Sequence, residues 1–146
     1  MASKGQVVKA MAMIQRPRDG ALLVSQATSP SGELFHRPLG GHVEFGEYAR
    51  DTVRREFAEE IGQELTSLRL AGVLENIFQW DGATQHEVVF VFTAAFADEA
   101  AYEIAEQTIR DDRDMSRVIW RTPDAASPPL YPAGVATATR TEARTE

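Results

Sequence analysis

Three glutamates, Glu56, Glu59 and Glu60, fall within about one helical turn of one another. On a helix that advances about 100° per residue, taking Glu56 as zero puts Glu59 near −60° and Glu60 near +40°. Their carboxylates then share one flank of an apolar stripe formed by Ala49, Val53, Phe57 and Ile61, which recur every four residues. Folding gives no reason to crowd acids there. Like charges three and four residues apart each cost a helix a few tenths of a kcal/mol, and the C-terminal end of the helix dipole disfavours anions further. At about 6 Å and an effective dielectric of about 20, the gross repulsion is roughly 3 kcal/mol per pair. Arg55, four residues before Glu59, offsets part of it. A hard divalent cation would remove the penalty, since Mg²⁺ takes oxygen ligands and bridges carboxylates to substrate phosphates. A glutamate-rich helix taken alone is more often a solvated face; the segment before it changes that weighting.

That segment reads Gly40-Gly41-His42-Val43-Glu44-Phe45-Gly46-Glu47. Adjacent glycines let the backbone approach a ligand or turn through positive φ. No Gly-Lys-Ser/Thr follows, so this is not a Walker loop. Its significance is its fixed distance from the acids: Gly41, five residues, Glu47, seven residues, then Arg55-Glu56-Phe57-Ala58-Glu59-Glu60-Ile61-Gly62. The pattern resembles the Nudix box, Gly-x5-Glu-x7-Arg-Glu-U-x-Glu-Glu-x-Gly-U, where U is apolar. Every fixed residue is present. Phe57 is larger than the usual aliphatic at its slot, Gln63 fills the last apolar slot, and Leu39 stands where the family often has proline. The box spans 23 residues, residues 41–63 of the 146.

The resemblance implies an α/β fold, the Nudix α/β/α sandwich with a mixed central sheet. It also implies a metal-dependent pyrophosphohydrolase that uses Mg²⁺ or Mn²⁺. Such an enzyme cuts a phosphoanhydride in a nucleoside diphosphate linked to another moiety: a nucleoside triphosphate, ADP-ribose, a dinucleotide or a nucleotide sugar. By family correspondence Glu56, Glu59 and Glu60 are metal ligands, with the Gly40 carbonyl as a further one. Arg55 and Glu47 pair to orient them and complete the catalytic set. The general base is Glu56 or an acid outside the box, for which Asp112 and Asp114, beside Asp111, are candidates; a solvated loop is the commoner reason for such acids. A Nudix-fold sensor that binds nucleotide without turnover is the alternative, although such domains commonly lose box carboxylates and none is lost here. Arg37 and His36 could meet a phosphate or base, and Phe78 and Trp80 could stack on a nucleobase. Surface arginines and core aromatics are the more frequent explanations of such residues. His42, His86 and Glu87 receive no role.

The elements that must position these groups follow from pattern. Strands are expected at residues 7–15, a run interrupted only by Lys9, and at residues 21–25, with a loop over 26–32 and a short extended piece at 35–38. Residues 48–61 are the helix, ended by Gly62. Residues 68–80 and 84–96 form a hairpin about Asp81-Gly82. Within it, residues 88–92 are apolar on both faces and suit a central strand. Residues 97–113 fit helix or loop, and 118–121 a last strand. Pro132 could open a short helix through 139, and 140–146 should fray.

The 146 residues suit one domain, residues 1–146. The absence of cysteine excludes disulfides, thiolate zinc sites and cysteine nucleophiles. A formal charge of −7, from 15 basic and 22 acidic residues, argues against a nucleic-acid polymer as partner. The partner expected is a small-molecule nucleotide or dinucleotide. No apolar run suits a membrane span or signal core, so the cytoplasm is the expected location. The hairpin and N-terminal strand offer surfaces for a homodimer. An EF-hand is excluded by the missing calcium-loop pattern around Asp111 to Asp114, and a glycosidase by carboxylates stacked on one helix rather than flanking a bond.

Overall fold

The computed structural model describes residues 5–110 and 116–136. Its elements in chain order are β1 (Val7–Ile14), β2 (Leu22–Thr28), β3 (Leu34–Arg37), β4 (Leu39–His42), α1 (Ala49–Ile61), β5 (Leu65–Trp80), β6 (Ala83–Phe96), a 3₁₀ turn (Glu99–Glu103), β7 (Glu106–Thr108) and β8 (Arg117–Arg121). The strands form two four-stranded sheets, ordered β4-β1-β6-β5 and β3-β2-β8-β7. The first sheet is mixed: β1 runs parallel to β6, while β4–β1 and β5–β6 are antiparallel. The second is antiparallel at every described pairing.

Strand β1 is apolar on both faces because both are covered. Ala10, Ala12 and Ile14 join Leu39, Phe92 and Phe96 beneath the α1 residues Val53, Phe57 and Ile61. Met11 and Met13 face the other way, with Val89 and Val91, and meet Leu22, Val24 and Val135 between the sheets. Burying a ring such as Phe57, which is fully enclosed, contributes about 2–3 kcal/mol. As expected of residues 88–92, β6 is interior to its sheet.

Several boundaries differ from the sequence expectation. Residues 26–28 continue β2 instead of opening a loop, because they pair with β3, and Gln26 also with β8. Such pairing outweighs their turn-like composition. The glycine pair lies inside β4, not in a loop before the helix. The 97–113 segment contributes the 3₁₀ turn and β7. At residues 81–82 the hairpin turns as expected, with φ of 52° at Asp81 and 77° at Gly82, the left-handed pair of a type I′ turn. Residues 135 and 136 are helical; the rest of the expected C-terminal helix and the frayed tail lie outside the described residues. Among those residues, no helix is long and apolar enough to cross a membrane.

Candidate active site

Helix α1 begins after Tyr48, whose backbone is extended and whose side chain makes no cap; Asp51 supplies a favourable anion in the first turn. The helix stops at Gly62, where φ is 68°. The Gly62 and Gln63 N–H groups donate to Ala58 O and Phe57 O at 3.0 and 3.3 Å, a left-handed ending that glycine adopts without strain. The backbone N–H of Arg110 donates to Glu60 O at 2.9 Å. The Arg110 guanidinium lies so near Gly62 that a Cβ there would sit 2.9 Å from Nη1. A cation thus meets the negative end of the helix just beyond the acids, a contact that residue spacing did not reveal.

Arg55 gathers the box. Its Nε and Nη2 donate to Glu47 Oε2 and Oε1 at 2.9 and 3.1 Å, a bidentate pair. Nη1 donates to Glu56 Oε1 at 3.1 Å and to Glu59 Oε2 at 3.4 Å, and Nη2 also to His42 O at 3.2 Å. Glu47 is fixed further by the Thr52 hydroxyl at 2.6 Å and the Glu44 N–H at 3.2 Å. Thr52 is fully buried, and sequence reading passed over it; a polar residue beside the apolar stripe was its only signal. The hydrogen bonds from Arg55 and then Thr52 hold the Glu47 carboxyl at about 2, against an ordinary 4.5. Glu47 in turn raises the proton affinity of Arg55.

Glu56 behaves oppositely. Burial pushes its carboxyl above the ordinary value, Arg55 draws it back, and the charges of Glu59 and Glu47 push it up again. It packs so closely on β4 that a Cβ at Gly41 would lie 2.5 Å from its carboxyl carbon. A Cβ at Gly40 would run into the Ala10 carbonyl and Met11. Neither glycine has a positive φ. Both are needed for close approach, Gly40 to β1 and Gly41 to the acid. Glu60 is half-buried and Glu59 exposed.

Among the described residues, no three acidic or imidazole side chains stand in a preformed metal-binding arrangement. Arg55 accounts for part of this, since it engages Glu56 and Glu59 oxygens that would ligate. The donor chemistry nonetheless fits a hard divalent cation: carboxylate oxygens and strand carbonyls, with no thiolate anywhere in the chain.

The remaining expected residues scatter. Asp112 and Asp114, with Asp111, lie outside the described residues. Arg37 is exposed, its guanidinium 5.8 Å from the Phe35 ring centre. His36 is buried with both ring nitrogens taken: Nε2 bonds Gln26 Oε1 at 3.0 Å, and Arg121 Nη1 donates to Nδ1 at 2.9 Å. Burial and the Arg121 charge lower its pKa. Arg121 also donates to the Ala125 and Pro128 carbonyls. His36 therefore ties β3 to β8 and the loop beyond it. Phe78 and Trp80 lie near the outer end of β5, each about a third exposed (36% and 37%), and Trp80 packs edge-on against Phe35 at 5.5 Å.

The sequence profile of the NUDIX domain matches residues 5–140. Among solved structures, a MutT NUDIX hydrolase from Burkholderia pseudomallei is similar over 94% of this chain and 98% of its own, with 25% identity and a TM-score of 0.66. A NUDIX hydrolase from Nitrosomonas europaea shares the fold with a TM-score of 0.70, at 19% identity over 97% and 90% of the two chains. The E. coli dihydroneopterin triphosphate pyrophosphohydrolase does so with a TM-score of 0.67, at 18% identity over 95% and 96%. The chain belongs to the Nudix hydrolase family. It is a hydrolase of the class that acts on acid anhydrides in phosphorus-containing substrates.

Proposed function

We propose that the protein is an Mg²⁺- or Mn²⁺-dependent pyrophosphohydrolase of nucleoside diphosphate derivatives, with Glu47, Arg55, Glu56, Glu59 and Glu60 as its catalytic set. The observation that carries this reading is the cluster of box carboxylates held by Arg55 against the glycine backbone of β4, an arrangement unfavourable for folding alone. Glu56, Glu59, Glu60 and the Gly40 carbonyl would hold the cation, which when bound neutralises phosphate charge and makes a water more acidic. Arg55 and Glu47 keep those carboxylates aimed, as groups behind metal ligands commonly do. A carboxylate left free by the cation, Glu56 or an acid outside the box, would take the proton of the attacking water.

The test is hydrolysis with product identification over nucleoside triphosphates, oxidised ones included, ADP-ribose, dinucleotides, nucleotide sugars and dihydroneopterin triphosphate. Each is assayed with Mg²⁺, with Mn²⁺ and with EDTA. Cleavage of a phosphoanhydride that EDTA abolishes is expected. Ligand-dependent thermal stabilisation with no turnover of any member would overturn the reading.

A further inference from the structure

Around Met11, Met13, Val89 and Val91, the face of the mixed sheet that meets the second sheet is apolar. Gly40 on β4 is followed two residues on by His42, which pairs in register with Lys9 of β1. Lys9 Nζ reaches Glu87 Oε2 of β6 at 2.9 Å, and Glu87 opposes Asn76 of β5. His42 and Lys9 thus share a row with Val89 and Leu74, while Glu87 and Asn76 form the next row outward, opposite Val7, so that Lys9 reaches Glu87 along a diagonal. Side chains two apart on a strand share a face. Further in on the same face, Val89 and Leu74, and Met11 of β1 beyond them, accordingly belong to the core between the sheets. On the outer side of Asn76, still on that face, come Phe78 and Trp80; pairing from Gly72 to Trp80 runs without a register shift.

Asn76 is the anomaly in this row. Its Nδ2 is buried and has no hydrogen-bond partner. Native interiors seldom leave a donor so, because its desolvation is not recovered. A leucine of similar size would remove that cost. Among the described residues the amide makes no hydrogen bond that fixes which way it faces, so a half-turn about χ2 exchanges its two ends without breaking one. Beside it, Lys9 Nζ lies 2.9 Å from Glu87 Oε2. An amide that can donate and a carboxylate that accepts therefore stand as neighbours, with two partly exposed aromatic rings two and four residues further along the same face of β5. Folding requires none of this. A planar heterocycle would use all of it: an edge carrying an acceptor next to an N–H, and a face for the rings.

We propose that Asn76 and Glu87 form the specificity-determining pair that reads the hydrogen-bonding edge of the substrate's heterocycle. This rests on the nucleotide-hydrolase reading but names residues 76 and 87, which lie outside the box, and it concerns binding rather than the bond cut.

Its test is calorimetric titration of the full chain with GMP, AMP, CMP, UMP and, as a ligand without a base, ribose 5-phosphate. None contains an anhydride, so turnover plays no part. The wild type is expected to prefer one base and to bind it more tightly than ribose 5-phosphate. Asn76→Leu should lose about tenfold or more of that preference, leave ribose 5-phosphate binding unchanged, and melt no lower than the wild type. If Asn76→Leu melts lower, Asn76→Ser, which keeps a short donor, carries the same comparison and should lose less of the preference. Equal wild-type binding of all five ligands, or an unchanged base preference in the variants, would overturn the pair's role. Base preference that depends on Asn76 in a protein that cuts no anhydride would sink the hydrolase reading and leave this inference standing.

Discussion

The flank of α1 against β4 and the inner face of the mixed sheet both hold polar groups that work against folding, but they are assembled differently. On the helix flank, every group from Gly40 to Glu60 lies in one continuous segment, and the cost is charge crowding offset by the Arg55 guanidinium. On the sheet face, the groups come from positions 9, 42, 76 and 87 on four strands, and the cost is a single shielded amide. The first is encoded by spacing along the chain. The second exists only once strand register is fixed, since a slip of one residue would turn each side chain to the opposite face. The two also divide the work proposed for them: the helix flank handles phosphate and metal, the sheet face handles the ring.

Substitutions on the helix flank should therefore alter turnover with little change in base preference. The largest effect is expected from Glu56→Gln, or equally Glu60→Gln: a fall in kcat of about 10²–10⁴-fold with thermal stability kept or raised, because repulsion is relieved. Single-turnover assays and melting on the same preparation separate the two quantities. An unfolded variant with unchanged activity per folded molecule would show the acids to be structural. Next comes Arg55→Ala, which strips Glu47, Glu56 and Glu59 of a shared donor. Activity should fall about 10–100-fold and Tm should drop as well; wild-type values of both would refute its orienting role. Gly41→Ala should do less, costing about 1–3 kcal/mol of stability and displacing the Glu56 carboxyl that the new Cβ would touch. The check is a raised metal requirement for half-maximal rate, and an unchanged requirement would mean that Glu56 is not held where it ligates.

How much of this the sequence disclosed follows the same division. The helix, its Gly62 stop and the spacing of the acids were legible because an α-helix converts residue number directly into direction. The hairpin at Asp81-Gly82 was legible because two left-handed residues demand such side chains. By contrast, residues 26–28 read as loop and the glycine pair as a close approach or a turn, yet both are strand, since their pairing partners decide it. His36 looked available for a ligand until β8 supplied Arg121 from 85 positions away. Lys9 was visible as the lone charge in β1, and the two-residue turn at Asp81-Gly82 already set Asn76 opposite Glu87, but nothing along the chain told that β6 would lie beside β1 and bring Glu87 to Lys9. Local chemistry could be read from residue order; non-local chemistry had to wait for the sheet.

The smallest effect expected is a pH dependence of stability that sets two carboxylates of the same flank against each other. Glu47 is depressed to about 2 from 4.5, so its contribution is present above 4.5 and is lost as pH falls toward 2. Glu56 is raised, burial being the main cause. Its protonated form favours the fold, a contribution fully present below 4.5 and lost as pH rises through the raised value. In metal-free buffer, lowering the pH from neutral should first raise Tm as Glu56 takes up its proton, then lower it as Glu47 does. Replacing one acid at a time isolates each limb. Glu56→Gln should melt above the wild type near pH 7 and converge with it near pH 4, whereas Glu47→Gln should melt below it near pH 7 and converge only toward pH 2. If both variants instead track the wild type in parallel across the whole range, neither carboxyl is perturbed by the fold, and the crowding that marks this flank is screened away by solvent.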